Sequence, residues 1–173
     1  MNDIRITEVI AHPLTQKLPQ PTITSWGRYE HVSIVLVEIR TDAGITGVGE
    51  CLARFAPRAY AELIDSALAP RLVGQPATNI AALWASMRRA LSGRAGGMLI
   101  ESIAGIDIAL WDILGKAAGL PIATLLGGLG RQEIDVYAAA VNWRTDAEME
   151  AELDALIEQG FPRIKVKMAL PVA

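Results

Sequence analysis

Met98 to Ala118 is the most apolar stretch of the chain. It carries Glu101, Asp107, Asp112 and Lys116, charges that are expensive in lipid. The stretch therefore predicts a buried helix rather than a membrane span. Gly119 closes it and Pro121 follows two residues later, a cap and then a residue that cannot continue a helix. Hydrophobic residues make up 51% of the 173 positions and charged residues 20%. That balance predicts a folded chain with one good core, or one domain and part of another.

Upstream of this helix the pattern is that of strands. Ile4 to Val9 begins as one, and Pro13, Pro19 and Pro21 then predict a polar loop running to about Tyr29. Val32 to Arg40 is β-branched and apolar, hence a strand. Asp42-Ala43-Gly44 is a turn, and Ile45 to Glu50 returns as the next strand. This is an antiparallel β-meander, and helices follow it. Pro57 opens one that should end near Ala69, before Pro70. Ile80, Leu83, Trp84, Met87 and Leu91 mark another by their spacing. Downstream of Gly127-Gly128-Leu129-Gly130 the grammar changes. Glu133 to Ala139 predicts a strand, Thr145 to Glu148 a capping box opening a helix that closes at Gly160, and Arg163 to Met168 a second strand. A βαβ unit of this kind has parallel strands and a right-handed crossover. The expected organisation is one domain over residues 1–128 and the start of an α/β domain over 129–173.

Composition removes several functions. Net charge is −3, and Arg88-Arg89 is the only adjacent basic pair, so no nucleic-acid surface is expected. Aromatics are 5%, too few for base-stacking platforms. Cys51 is the only cysteine. It permits no internal disulfide, fits a reducing compartment, and reads as a small apolar residue more readily than as a reactive thiol. With no signal peptide and no membrane span, a cytoplasmic protein is expected. His12 and His31 have no ligand spacing around them, so zinc is not supported. Gly93-x-x-Gly96 and Gly127-x-x-Gly130 lack the strand and helix context of a phosphate fingerprint and read as turns. Asp107 and Asp112, five residues apart on a helix, do not share a face closely enough to pair on a metal.

Near the C-terminal end stands Ile164-Lys165-Val166-Lys167-Met168. In a strand of period two, Lys165 and Lys167 leave one face and the apolar residues the other. Two like charges held together and desolvated push at least one ammonium toward neutrality, and a neutral lysine amine is a competent general base. The same spacing also suits an edge strand with lysines in water, which is the commoner arrangement.

Ser102-Ile103-Ala104-Gly105-Ile106-Asp107-Ile108-Ala109-Leu110-Trp111-Asp112-Ile113-Leu114-Gly115-Lys116, followed by Gly119-Leu120-Pro121 and Leu125-Leu126-Gly127-Gly128, resembles the mandelate racemase/muconate lactonizing enzyme family of the enolase superfamily. The resemblance extends to Gly44-Ile45-Thr46-Gly47-Val48-Gly49-Glu50 and to Gly160-Phe161 leading into the two lysines. It covers essentially the whole chain and only the N-terminal half of such an enzyme. The resemblance implies an α+β capping domain followed by the first βαβ of a TIM-type barrel, incomplete because a full barrel has eight strands and roughly 250 residues.

The implied chemistry is Mg2+-dependent abstraction of the proton α to a carboxylate, in a racemase, epimerase, cycloisomerase or dehydratase. By the match to the family's Lys-x-Lys motif, Lys167 is the base and Lys165 the charge that depresses its pKa. The motif leans toward racemase, epimerase or cycloisomerase. Trp26, Tyr29 and Phe55 are the bulky residues of the segments that would close over substrate, although local packing also accounts for them. Mg2+ is expected in the complete enzyme, but no residue of this chain matches its acidic ligands, and the chain alone is expected to be inactive. The implied partners are a small carboxylate substrate and further copies in a homo-oligomer, with neither nucleic acid nor membrane. The alternative is a non-catalytic cap, truncated or repurposed as a binding or assembly module.

Overall fold

The computed structural model describes residues 4–24, 27–92, 96–141 and 145–166. The chain falls into two compact units, Met1–Gln16 with Val32–Leu129, and Lys17–His31 with Gly130–Ala173.

A three-stranded sheet of order β1-β2-β3 has β1 at Ile6–Thr24, β2 at Gly27–Thr41 and β3 at Thr46–Leu52; residues 6–16, 32–41 and all of β3 belong to the first unit. β2 and β3 are antiparallel, with Val35 opposite Cys51 and Val37 opposite Gly49. The turn between them forms as the sequence predicts. Gly44 takes a φ of +73° and donates to the Thr41 carbonyl at 3.1 Å. The Thr41 hydroxyl accepts from the Ile45 N–H at 3.1 Å.

The expected loop from Pro13 to Tyr29 is instead strand: β1 passes through Pro13, Pro19 and Pro21, and β2 begins at Gly27. The reason is position in the sheet. β1 is at the edge of the order β1-β2-β3; Ile6 at its start exchanges backbone bonds with Gly74 and Gln75, and beyond that start no described strand flanks its outer side, so the edge tolerates residues that lack an N–H.

Alternation along β2 and β3 sends Val35, Val37, Ile39 and Cys51 into the core, where all are fully buried. The helices cover that face. α1 (Pro57–Leu63) starts at its proline as expected. The regular helix ends at Leu63, earlier than the expected Ala69, and the coil continues through a wider turn at Ile64–Leu68 and a tighter one at Ala69–Arg71 that includes Pro70. Pro70 has no N–H and its ring crowds the carbonyl one turn back, so the coil changes pitch where a regular helix would clash. α2 (Ile80–Arg88) buries Ile80, Leu83 and Met87. Trp84 sits at the margin with the Arg88 guanidinium 5.1 Å from its ring centre.

α3 (Gly97–Ala118) is the predicted central helix, with Leu99, Ile103, Ile106, Ala109, Leu110 and Ile113 in the core. Gly119, at φ +64°, ends it, and the Leu120 N–H returns to the Gly115 carbonyl at 3.0 Å. The short α4 (Ile122–Leu125), which the sequence pattern does not announce, follows Pro121. Among the described residues no helix is long and apolar enough to cross a membrane.

In the second unit β4 (Ala138–Val141) pairs in parallel with β5 (Ile164–Val166), with Ala138 opposite Ile164 and Val141 opposite Val166. α5 (Asp146–Glu158) joins them. Its capping box forms: the Thr145 hydroxyl accepts from the Glu148 N–H at 3.4 Å, and the Glu148 carboxylate accepts from the Thr145 N–H at 3.1 Å. The predicted strand from Glu133 to Ala139 is displaced. Ile134 and Val136 are exposed and outside it, because β4 has a single described partner and the ladder runs only where β5 lies beside it. Of the second predicted strand, Arg163 precedes β5, and Lys167 and Met168 lie outside the described residues.

Candidate active site

Lys165 occupies the middle of β5, exposed between half-buried Ile164 and Val166. The flanking pair faces one way and the lysine the other, as a period-two strand requires. Because Ala138 is level with Ile164, the neighbouring odd positions of the two strands share the opposite face. Tyr137 is the side chain found there, with the Lys165 Nζ 5.3 Å from its ring centre. At that distance the electron-rich face of the phenol attracts the ammonium and fixes its direction. Tyr137 is the functional candidate that the sequence pattern alone does not single out. Its signal was present, in the parity of two parallel strands once their register is known.

Lys167 and Trp26 lie outside the described residues. Tyr29 is half-buried on β2 and belongs to the same unit as Lys165. Phe55 is 74% exposed, lies just beyond β3 and belongs to the other unit.

Several titratable groups of the first unit are held by burial or by a neighbouring side chain. The Cys51 thiol is buried, and desolvation pushes its pKa up to about 11, partly offset by the Ser102 hydroxyl beside it. A thiol held protonated is a poor nucleophile, which agrees with the apolar role expected for it. The Tyr60 hydroxyl donates to the Glu101 carboxylate at 2.5 Å, and that bond, with burial, raises its pKa to about 12. His12 is satisfied by Glu38, Nε2 to Oε2 at 3.2 Å. Arg40 and then His12 hold the Glu38 carboxyl below its usual range. Burial raises Asp107, opposed by a hydrogen bond from Trp111. Among the described residues no group of three or more His, Cys, Asp or Glu side chains could hold a metal ion. These residues do not fit the Mg2+ site that the family resemblance implies.

Residues 5–127 match the family model for the mandelate racemase / muconate lactonizing enzyme, N-terminal domain. The chain belongs to this family. Among curated relatives, a D-galactonate dehydratase family member of Paenibacillus sp. (strain JDR-2) is 40% identical over 134 residues, 77% of this chain and 33% of that protein. A D-galactarolactone cycloisomerase of Agrobacterium fabrum (strain C58) is 33% identical over 174 aligned residues, 98% of this chain and 45% of that protein. Among solved structures, a member of the enolase superfamily from Polaromonas sp. JS666 superposes with a TM-score of 0.86 at 33% identity, over 95% of this chain and 44% of that one. The chain thus spans a third to just under half the length of these relatives.

Three glycines of the family resemblance, Gly47, Gly49 and Gly105, are packing residues. An added Cβ at Gly47 would stand 2.1 Å from the Ala109 carbonyl oxygen, and one at Gly49 2.0 Å from that of Gly105. Only glycine lets β3 approach the α3 backbone so closely. Gly105 returns the arrangement, since a Cβ there would meet the Cys51 Cβ at 2.9 Å. In this mandelate racemase/muconate lactonizing domain the signature from Ser102 to Lys116 is therefore a strand-on-helix contact.

Proposed function

We propose that the chain is the N-terminal portion of an enzyme that removes the proton α to a carboxylate, of the racemase, epimerase or cycloisomerase kind, with dehydration as the variant. The observation that carries this is Lys165 on β5, its ammonium directed over Tyr137, two residues before Lys167. The enzymes named among the relatives, a cycloisomerase and a dehydratase family member, support the reaction class. In this reading Lys167 takes the proton from one face of the substrate carbon. Lys165, a cation on the same face, keeps the neighbouring amine neutral and balances the substrate's carboxylate.

Mg2+ would stabilise the resulting charge in the complete enzyme, held by residues other than those described. The chemistry assigned to this chain is proton transfer alone. Tyr29, Trp26 and Phe55 are proposed to border the substrate. The capping role for residues 1–128 and the barrel role for 129–173 belong to the same proposal.

The test is isotope exchange. The complete polypeptide and the 173-residue chain are incubated with α-hydroxy and α-amino carboxylates in D2O with Mg2+, and deuterium uptake is followed by NMR. Exchange is expected in the complete polypeptide and absent from the 173-residue chain. In the complete polypeptide Lys167→Ala should abolish exchange from one stereoisomer and leave metal binding intact. Exchange from both stereoisomers in that variant overturns the assignment.

A further inference from the structure

β3 is an edge strand: β2 lies on one side, and no described strand lies on the other. Such an edge is a template for another strand. β3 is well suited to the purpose, with seven residues, no proline, a single charge at Glu50, and Val48 and Leu52 both partly exposed. Gly47 and Gly49 lower its β-propensity, so the liability is that of an unpaired backbone edge rather than of an aggregating side-chain pattern.

The free edge is nevertheless occupied at Thr46 and Val48. The Val48 N–H donates to Asp112 Oδ2 at 2.9 Å, and the Lys116 Nζ donates to the Thr46 carbonyl at 2.7 Å. The two side chains bind each other at 2.7 Å, one turn apart on α3. An acceptor is thus matched to the outward N–H and a donor to the outward carbonyl, in the places where a further strand would offer its own. Thr46 and Val48 have the same parity, so both groups face the same edge.

We propose that the Asp112–Lys116 pair is a lock on the open edge of β3, and that the occupant it excludes is the β3 of a second copy of this chain. Two such edges are self-complementary when antiparallel, and a two-fold axis between them would close the contact as a dimer. The lock stands in place of strand addition: side chains from α3 satisfy the backbone groups that a neighbouring molecule would otherwise recruit. This role is separate from the chemistry proposed for the lysines of β5.

The test compares Asp112→Asn, which keeps an oxygen acceptor for Val48, with Asp112→Ala and with Asp112→Ala/Lys116→Met, in the full 173-residue chain. In Asp112→Ala the Val48 amide should exchange with solvent about 10–100-fold faster at low protein concentration, the loss of a hydrogen bond to a charged group. The Val37 amide should keep its protection, which separates loss of the lock from general unfolding. At high concentration the double variant should elute from sizing chromatography at twice the parent's mass, with Val48 again protected. Asp112→Asn should elute with the parent. Equal behaviour of the alanine and asparagine variants overturns the proposal, as does faster Val48 exchange without association, or association that leaves the β3 amides exposed.

Discussion

Replacing Gly49 by alanine is the sharpest test of how the first unit is held together. The new methyl would stand 2.0 Å from the Gly105 carbonyl oxygen and 2.8 Å from the Ala109 nitrogen. Both neighbours are main-chain atoms in the middle of α3, so no side chain can swing aside. Ordinary contact begins near 3.4 Å, and α3 would have to retreat from β3 by more than 1 Å. A gap of about 0.5–1 Å already forfeits a quarter to a half of the dispersion attraction across a packed surface. Overpacking by itself typically costs about 1–3 kcal/mol.

With the lost contacts of Ile106, Ala109, Leu110 and Ile113 added, the expected destabilisation is about 3–5 kcal/mol, in the exceptional tail for single substitutions. Against a total of about 5–15 kcal/mol for a folded domain this is severe. Urea unfolding followed by far-UV circular dichroism should show a midpoint lower by roughly 1.5–2.5 M, taking a slope of about 2 kcal/mol/M. Gly130→Ala is the control: its methyl meets nothing within 4 Å, and a shift within about 0.5 kcal/mol is expected. Equal midpoints for the two variants would refute the close-contact argument.

Other outcomes follow from the same geometry. Cys51 should resist iodoacetamide at pH 8 in the folded chain and react fully in urea, with mass spectrometry as the readout; rapid modification without denaturant would contradict its burial. The raised thiol pKa also sets a pH dependence. The folded state favours the protonated thiol, so its contribution is fully present below the unfolded value of 9.0 and is lost as pH rises through about 11. Thermal melts between those limits should show stability falling in the parent more than in Cys51→Ala. Thr145→Ala removes the hydroxyl acceptor of the capping box and should cost about 1 kcal/mol, seen as faster amide exchange at the start of α5 with the first unit unaffected. Tyr137→Leu should release the Lys165 side chain, so that its ε-methylene protons lose the ring-current shift that Tyr137→Phe retains; identical spectra for the two variants would show that the contact does not persist in solution.

Local chemistry decided α3, α5 and the turn at Gly44, and for those elements the sequence was sufficient. An apolar run closed by Gly119 and Pro121, a Thr145–Glu148 box and an Asp-Ala-Gly turn each satisfy their own backbone groups within a few residues. The meander followed by helices was legible for the same reason, as was the parity of Lys165 on its strand. Where partners are distant in sequence, local rules failed. Three prolines argue against a strand unless the strand is at an edge, and only the order β1-β2-β3 puts β1 there.

Glu133 to Val136 has strand composition, yet a ladder needs a neighbour, and β5 lies beside Ala138 to Val141. Tyr137 gained its place over Lys165 through that register. Gly47, Gly49, Asp112 and Lys116 were visible as a family signature and silent about their use. Their meaning is a distance between a strand and a helix about sixty residues apart in sequence, which no periodicity encodes. The sequence by itself determined which segments become helix and strand wherever hydrogen bonds close locally. The tertiary structure decided how far each strand runs, which edge is covered, and which side chain stands against the lysine, because those depend on backbone groups brought together only by packing.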